Sequence, residues 1–124
     1  MIMIDKNFTY AVIGASANQE KYGFKVFKDL KEAGFKVIPI NPSLKELLNI
    51  KAYPLLTVVP VKIDVAIFVV PPPITETILE EAKKLGIKKV WLQPGSESQR
   101  AIDFCQKNKI ECIHDSCIII DQKR

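Results

Sequence analysis

The sequence predicts one α/β domain, a doubly wound sheet of about five parallel strands with helices on both faces. Two observations carry that prediction. Short, near-continuous apolar runs alternate along the chain with amphipathic segments of helical period, the pattern of βαβ units. Each apolar run ends in a turn rich in Gly, Pro, Asn, Gln or Ser, at 14–16, 41–42, 70–73 and 93–95. Right-handed crossovers gather such turns on the carboxyl edge of the sheet, where ligands of these folds bind.

The elements follow in order. Residues 1–8 read as a loosely held lead-in. Tyr10–Ile13 is apolar throughout, as in a parallel strand covered on both faces, and runs into Gly14-Ala15-Ser16. A polar loop leads to Gly23 at the opening of a helix over Tyr22–Ala33. Val26, Phe27, Leu30 and Ala33 share one face of it, Lys25, Lys28 and Lys31 lie on another, and Gly34 suits the exit. Lys36–Ile40 is the second strand. Pro39 has no N–H to donate, so this strand is not regularly paired on both sides.

Ser43–Asn49 predicts a short helix, with Ser43 and Glu46 as a capping box and Asn49 as a left-handed terminator. Residues 50–62 are apolar but broken by Pro54 and Pro60, which predicts a packed crossover outside the sheet. The third strand is Asp64–Val70, stopped by a stiff, extended Pro71-Pro72-Pro73 turn. A helix over Ile74–Leu85 turns Ile78, Leu79, Ala82 and Leu85 inward and ends at Gly86. Lys89–Leu92 is the fourth strand. Ser96 and Gln99 offer a capping box for a helix to about Asn108, Ile110–Ile113 is the fifth strand, and Cys117–Ile120 is a last apolar stretch.

Composition narrows the function. The chain has 124 residues, 48% hydrophobic and 26% charged, the make-up of a globular domain. Its net charge is +4, and no basic run is interleaved with aromatics, which argues against nucleic acid; a small polyanion suits the same charge equally well. MIMIDKNF lacks the basic and apolar regions of a signal peptide, and no apolar run approaches the ~20 residues of a membrane span. Three cysteines without a secretory signal predict reduced thiols and a cytoplasmic location, with no membrane partner.

The chemistry centres on Gly14. A strand, a tight glycine turn and a helix N-terminus together attract phosphate, because the backbone approaches closely and unpaired N–H groups face the anion. The dinucleotide fingerprint G-x-G-x-x-G is nevertheless broken. Ser16 and Gln19 replace its second and third glycines, Gly23 comes too late, and Asn41-Pro42 offers no acid for a ribose. No G-K-[ST] follows Gly14, so a Walker A loop is absent too.

Six motifs in order resemble the small CoA-binding domain proteins, which are related to the CoA-binding domain of the succinyl-CoA synthetase α subunit. They are V-I-G-A-S at 12–16, K-Y-G at 21–23, V-I-P-I-N-P at 37–42, V-P-P at 70–72, V-W-L-Q-P-G at 90–95 and S-C-I-I-I at 116–120, spanning about 8–121. The resemblance implies a Rossmann-like domain that binds coenzyme A. It implies that Gly14, Ala15 and Ser16 bind the pyrophosphate and that Lys21 and Lys25 approach the phosphates, with Tyr22 beside them. Asn41 and Pro42 would flank the adenine-ribose end. Val70, Pro71 and Pro72, with Gln93, Pro94 and Gly95, would line the path of the nucleotide and pantetheine. Gln19 and Asn49 depart from the proline and glycine common there, and Val70 stands where some members carry an arginine.

Cys112, His114 and Cys117 suggest a metal cluster, but Cys105 is the only further thiol and lies on a helix. Cys112 reads as a small buried strand residue, and Trp91 as core. Cys117 lies near the ligand edge. No carboxylate pair or catalytic histidine falls in the four turns, so the expected function is binding of CoA or acyl-CoA, not catalysis. Three alternatives stay open: an NAD(P)-binding oxidoreductase-like domain, the CoA-binding subunit of an acyl-CoA synthetase-type complex whose partner supplies the missing lobe, and a protein–protein module.

Overall fold

A computed structural model describes residues 3–123. Its elements in chain order are β1 (Thr9–Ile13), α1 (Tyr22–Glu32), β2 (Lys36–Ile40), β3 (Glu46–Leu47), β4 (Ile50–Lys51) and a 3₁₀ turn (Leu56–Val58). There follow β5 (Val65–Phe68), α2 (Pro72–Lys84), β6 (Lys89–Leu92), α3 (Gln99–Lys107), β7 (Glu111–Ile113) and α4 (Ile118–Asp121). Five strands form one parallel sheet in the order β2-β1-β5-β6-β7. Chain direction across the sheet reverses between β1 and β5, which makes their carboxyl ends the topological switch point.

Both faces of the sheet are covered, because successive strand side chains point to opposite sides. Tyr10, Val12, Val65, Ile67 and Trp91 pack with Val26, Phe27 and Leu30 of α1 and with Ile118 of α4. Ala11, Ile13, Ala66, Phe68, Val90 and Leu92 pack with Leu79 and Ala82 of α2 and with Ala101 and Cys105 of α3. A fully buried Phe27, Leu30 or Leu79 contributes roughly 2 kcal/mol each through this burial. Trp91 is core as expected, and its indole N–H donates to the Ser116 carbonyl at 2.9 Å.

Several expectations are corrected. The lead-in is held where it is described: Met3 is buried, its carbonyl accepts from the Tyr10 hydroxyl at 2.8 Å, and Lys6 bonds the Ala33 carbonyl. Burial raises the Tyr10 pKa above its ordinary value, in keeping with a neutral phenol that donates. The helix expected over Ser43–Asn49 is instead the antiparallel β3–β4 hairpin, with Leu48 and Asn49 at φ +48° and +67° in its turn. Two successive left-handed residues close a hairpin and cannot continue a helix. The Ser43 N–H donates to Asn41 Oδ1, an Asx turn in place of an N-cap.

The crossover carries the 3₁₀ turn with Leu56 buried, and Tyr53 bridges to Ile40 on the outer edge of β2. The second helix starts two residues before Ile74: Pro71 is the N-cap of α2, and Pro72 and Pro73 are its first residues. That placement fits proline, since the first-turn N–H groups need no helical partner. Leu85 is 45% exposed instead of inward, one position past the end of α2. Ser98, not Ser96, caps α3, accepting from the Ala101 N–H at 3.0 Å. Cys112 is half-buried, and a hydrogen bond with it, reinforced by burial, holds the Cys105 thiol far above the usual range.

No helix among the described residues is long and apolar enough to cross a membrane.

Candidate functional site

The switch point opens into a cleft of about 600 Å³. Gly14, Ser16, Lys21, Tyr22, Gly23 and Asn41 line one side, and Val69, Val70, Pro71, Pro72, Pro94, Gly95 and Ser96 the other. That volume lies in the range of small-molecule and cofactor sites.

The first side is built around two glycines. Gly14 has φ +95°, and its N–H donates to the Ile40 carbonyl at 3.1 Å. A Cβ there would lie 2.3 Å from the Val69 carbonyl oxygen. A Cβ on Gly23 would lie 1.9 Å from the Gly14 carbonyl oxygen, so α1 can rest against the loop only because Gly23 has no side chain. Gly23 thus performs the close helix–strand packing assigned to the third glycine of a dinucleotide fingerprint, after a longer loop. Between the glycines, Asn18 N–H donates to Ser16 Oγ and Glu20 N–H to Asn18 Oδ1, both at 3.0 Å. Asn41 Nδ2 donates to the Ala15 carbonyl at 2.7 Å and ties the loop to the end of β2.

The result is an anion-ready wall. Lys21 is the N-cap of α1 with an extended backbone and no side-chain cap bond. The N–H groups of Ser16, Tyr22 and Gly23 have no acceptor among the described residues. They sit where the positive end of the α1 dipole adds to the Lys21 charge. The Ser16 hydroxyl accepts from Asn18 and keeps its own proton to donate.

The opposite wall is closed by its own bonds. Val70 N–H donates to Ser96 Oγ at 3.1 Å, Ser96 N–H to the Gln93 carbonyl at 2.8 Å, and Gly95 N–H to Glu97 Oε1 at 3.0 Å. An annex of about 130 Å³ adjoins the cleft, sharing Tyr22, Val69 and Pro94 and ending at Gln93 and Cys117.

Ten of the sequence-derived positions line the cleft: Gly14, Ser16, Lys21, Tyr22, Asn41, Val70, Pro71, Pro72, Pro94 and Gly95. Ala15 is buried beneath it, and Gln93 lies behind it in the annex. Two positions are not brought in. Pro42 is exposed beyond the rim, and Lys25 borders a separate groove with Phe24, Lys28 and Asp29, its Nζ 5.3 Å from the Tyr22 ring centroid. Lys25 lies one helical turn farther along α1 than Lys21, so it stands farther from the loop. Glu20 and Val69 line the cleft without having been singled out, and Ser96, expected as a helix cap, lines it too. Glu20 stands next to Lys21 in sequence, and only its place in the loop could have marked it. Glu20, Lys21 and Tyr22 are the titratable residues among the described ones that line the cleft.

His114 pairs with its neighbour Asp115, Nδ1 to Oδ2 at 2.6 Å, and does not line the cleft. Among the described residues no three His, Cys, Asp or Glu side chains group as metal ligands.

A Rossmann-like α/β sheet with a glycine turn and a helix N-terminus at its switch point is the architecture of the nucleotide-binding class of domain. Within that class the chain belongs to the CoA-binding domain family, whose model matches residues 8–123. It is 34% identical over 119 residues to the α subunit of an ADP-forming acetate–CoA ligase II of Pyrococcus furiosus, a match covering 87% of this chain and 26% of that one. The chain therefore spans about a quarter of the length of this curated relative.

Among solved structures, it resembles a conserved hypothetical protein from Pyrococcus furiosus at a TM-score of 0.88 and 38% identity, covering 92% of this chain and 98% of that one. A hypothetical protein from Pyrococcus horikoshii matches with a TM-score of 0.90 and 31% identity, covering 95% and 84%.

Proposed function

We propose that the protein binds coenzyme A or an acyl-CoA in the switch-point cleft and carries out no chemistry there by itself. The observation that carries this reading is the set of unpaired N–H groups of Ser16, Tyr22 and Gly23 beside Lys21. A pyrophosphate would accept those bonds, the adenosine would extend toward Asn41, and the pantetheine would run along Val70 and Pro94. Family membership favours CoA over the dinucleotides as the ligand. For a binding role, the support is chemical: Glu20, Lys21 and Tyr22 supply no base held by an orienting partner.

Titration with CoA, acetyl-CoA, NAD and NADP, read by calorimetry and thermal shift, tests the reading. CoA or acetyl-CoA should raise the melting temperature progressively with concentration. A shift with NADP and none with either CoA species overturns it.

A second reading has its own observation: the ligase α subunit matches this chain over only a quarter of its own length. In that reading the CoA-binding domain serves a complex whose remaining lobes come from a partner chain. A co-purifying chain that confers acyl-CoA-dependent nucleotide turnover would support it.

A further inference from the structure

We propose that Gln93 determines specificity by donating a hydrogen bond to the thioester carbonyl of a short-chain acyl-CoA, whose acyl group occupies the annex. The inference rests on the CoA reading above and adds which form of CoA the site prefers.

Gln93 is 2% exposed and held on two sides. Its backbone N–H donates to the Phe68 carbonyl at 3.0 Å, and its Oε1 accepts from the Ile118 N–H at 2.9 Å. Only the amide oxygen can accept from an N–H, so this bond fixes which way the amide faces. The Nε2 group is thereby presented to the annex. One of its protons meets Cys117 Sγ at 3.4 Å, a weak acceptor, and the other has no acceptor among the described residues. A buried amide proton without an acceptor is costly, and a carbonyl oxygen in the annex would satisfy it.

Position and size agree. The annex lies beyond β6, on the side of the cleft away from β2 and Asn41. With the pyrophosphate at Ser16, Tyr22 and Gly23 and the adenosine toward Asn41, the pantetheine arm would leave on the annex side, with its sulfur end folded into the space beside Tyr22. Its walls are Tyr22, Val69 and Pro94, and its volume is about 130 Å³. Each water-sized group occupies ~30 Å³, so the annex holds roughly four of them, enough for a thioester carbonyl and a short carbon chain. A free thiol leaves the Gln93 proton without a strong acceptor, and a long acyl chain exceeds the space.

Calorimetric titration of CoA, acetyl-CoA and palmitoyl-CoA tests the inference on the unaltered protein and on Gln93→Glu. The substitution keeps an acceptor for the Ile118 N–H and removes both amide donors. In the unaltered protein acetyl-CoA should bind about tenfold tighter than CoA, the worth of one buried hydrogen bond. Palmitoyl-CoA should gain nothing over CoA. In Gln93→Glu the preference for acetyl-CoA should vanish. Equal binding of CoA and acetyl-CoA, equal binding of acetyl- and palmitoyl-CoA, or a preference that survives Gln93→Glu each overturns the inference while leaving CoA binding intact. Failure of every CoA species to bind overturns both.

Discussion

The two walls of the cleft are finished in opposite ways. On the α1 side, Ser16, Tyr22 and Gly23 present N–H groups with no acceptor among the described residues. On the β5–β6 side, the N–H groups of Val70, Gly95 and Ser96 are all consumed within the protein, leaving a surface of Val69, Val70, Pro71 and Pro94. The difference separates two kinds of recognition. Open donors at a helix N-terminus suit a charged group that brings its own acceptors. A self-satisfied apolar wall suits a neutral chain that brings few. A ligand with a pyrophosphate at one point and a mostly neutral arm beyond it uses both walls.

That contrast is open to direct test. The largest effect should come from Gly23→Ala, which forces a carbon to within 1.9 Å of the Gly14 carbonyl oxygen. Overpacking of this kind should cost about 3 kcal/mol and abolish ligand binding with it, as measured by urea unfolding and titration. A loss under about 1 kcal/mol would show that α1 can lift off the loop freely.

Ser96→Ala comes next and probes the closed wall. It strips the Val70 N–H of its acceptor and should lower stability by about 1–2 kcal/mol, while CoA affinity changes less than about twofold. A large affinity loss without a stability loss would place Ser96 among the ligand contacts instead. Lys21→Ala, the smallest in stability, probes the open wall. It should weaken CoA about fivefold and leave unfolding within about 0.5 kcal/mol, whereas Lys25→Ala should change neither affinity nor stability, since Lys25 borders a different groove. Equal losses from the two lysines would mean that the ligand reaches past Tyr22 along α1.

How much of this was legible in the sequence depended on the range of the forces involved. The strands Lys36–Ile40 and Lys89–Leu92 follow from local apolar pattern and flanking turns, and the structure has the same boundaries. Ser43–Asn49 misleads because its polar residues satisfy a capping pattern, while the decisive property is Leu48 in a left-handed conformation that its side chain does nothing to advertise. Pro71–Pro73 shows the converse: residues that stop one element also start the next. Gly23 is visible as a glycine, but its contact with Gly14 depends on how the intervening loop folds back. The amide orientation of Gln93 is set by Ile118, far along the chain, and no local pattern reports it.

Pro39 has a consequence beyond the cleft. Its carbonyl accepts from the Tyr53 N–H at 3.0 Å, and backbone N and C=O of one strand residue point to the same side, so its ring nitrogen faces outward from β1. Tyr53 in turn accepts from the Asn41 N–H at 3.0 Å. The β2 margin of the sheet is therefore partly roofed and partly without a donor, and β7, at the other margin, is only three residues long. Neither border offers a long template on which another sheet could grow. Such borders leave the strands of a neighbouring domain, or of a second copy, little to pair with.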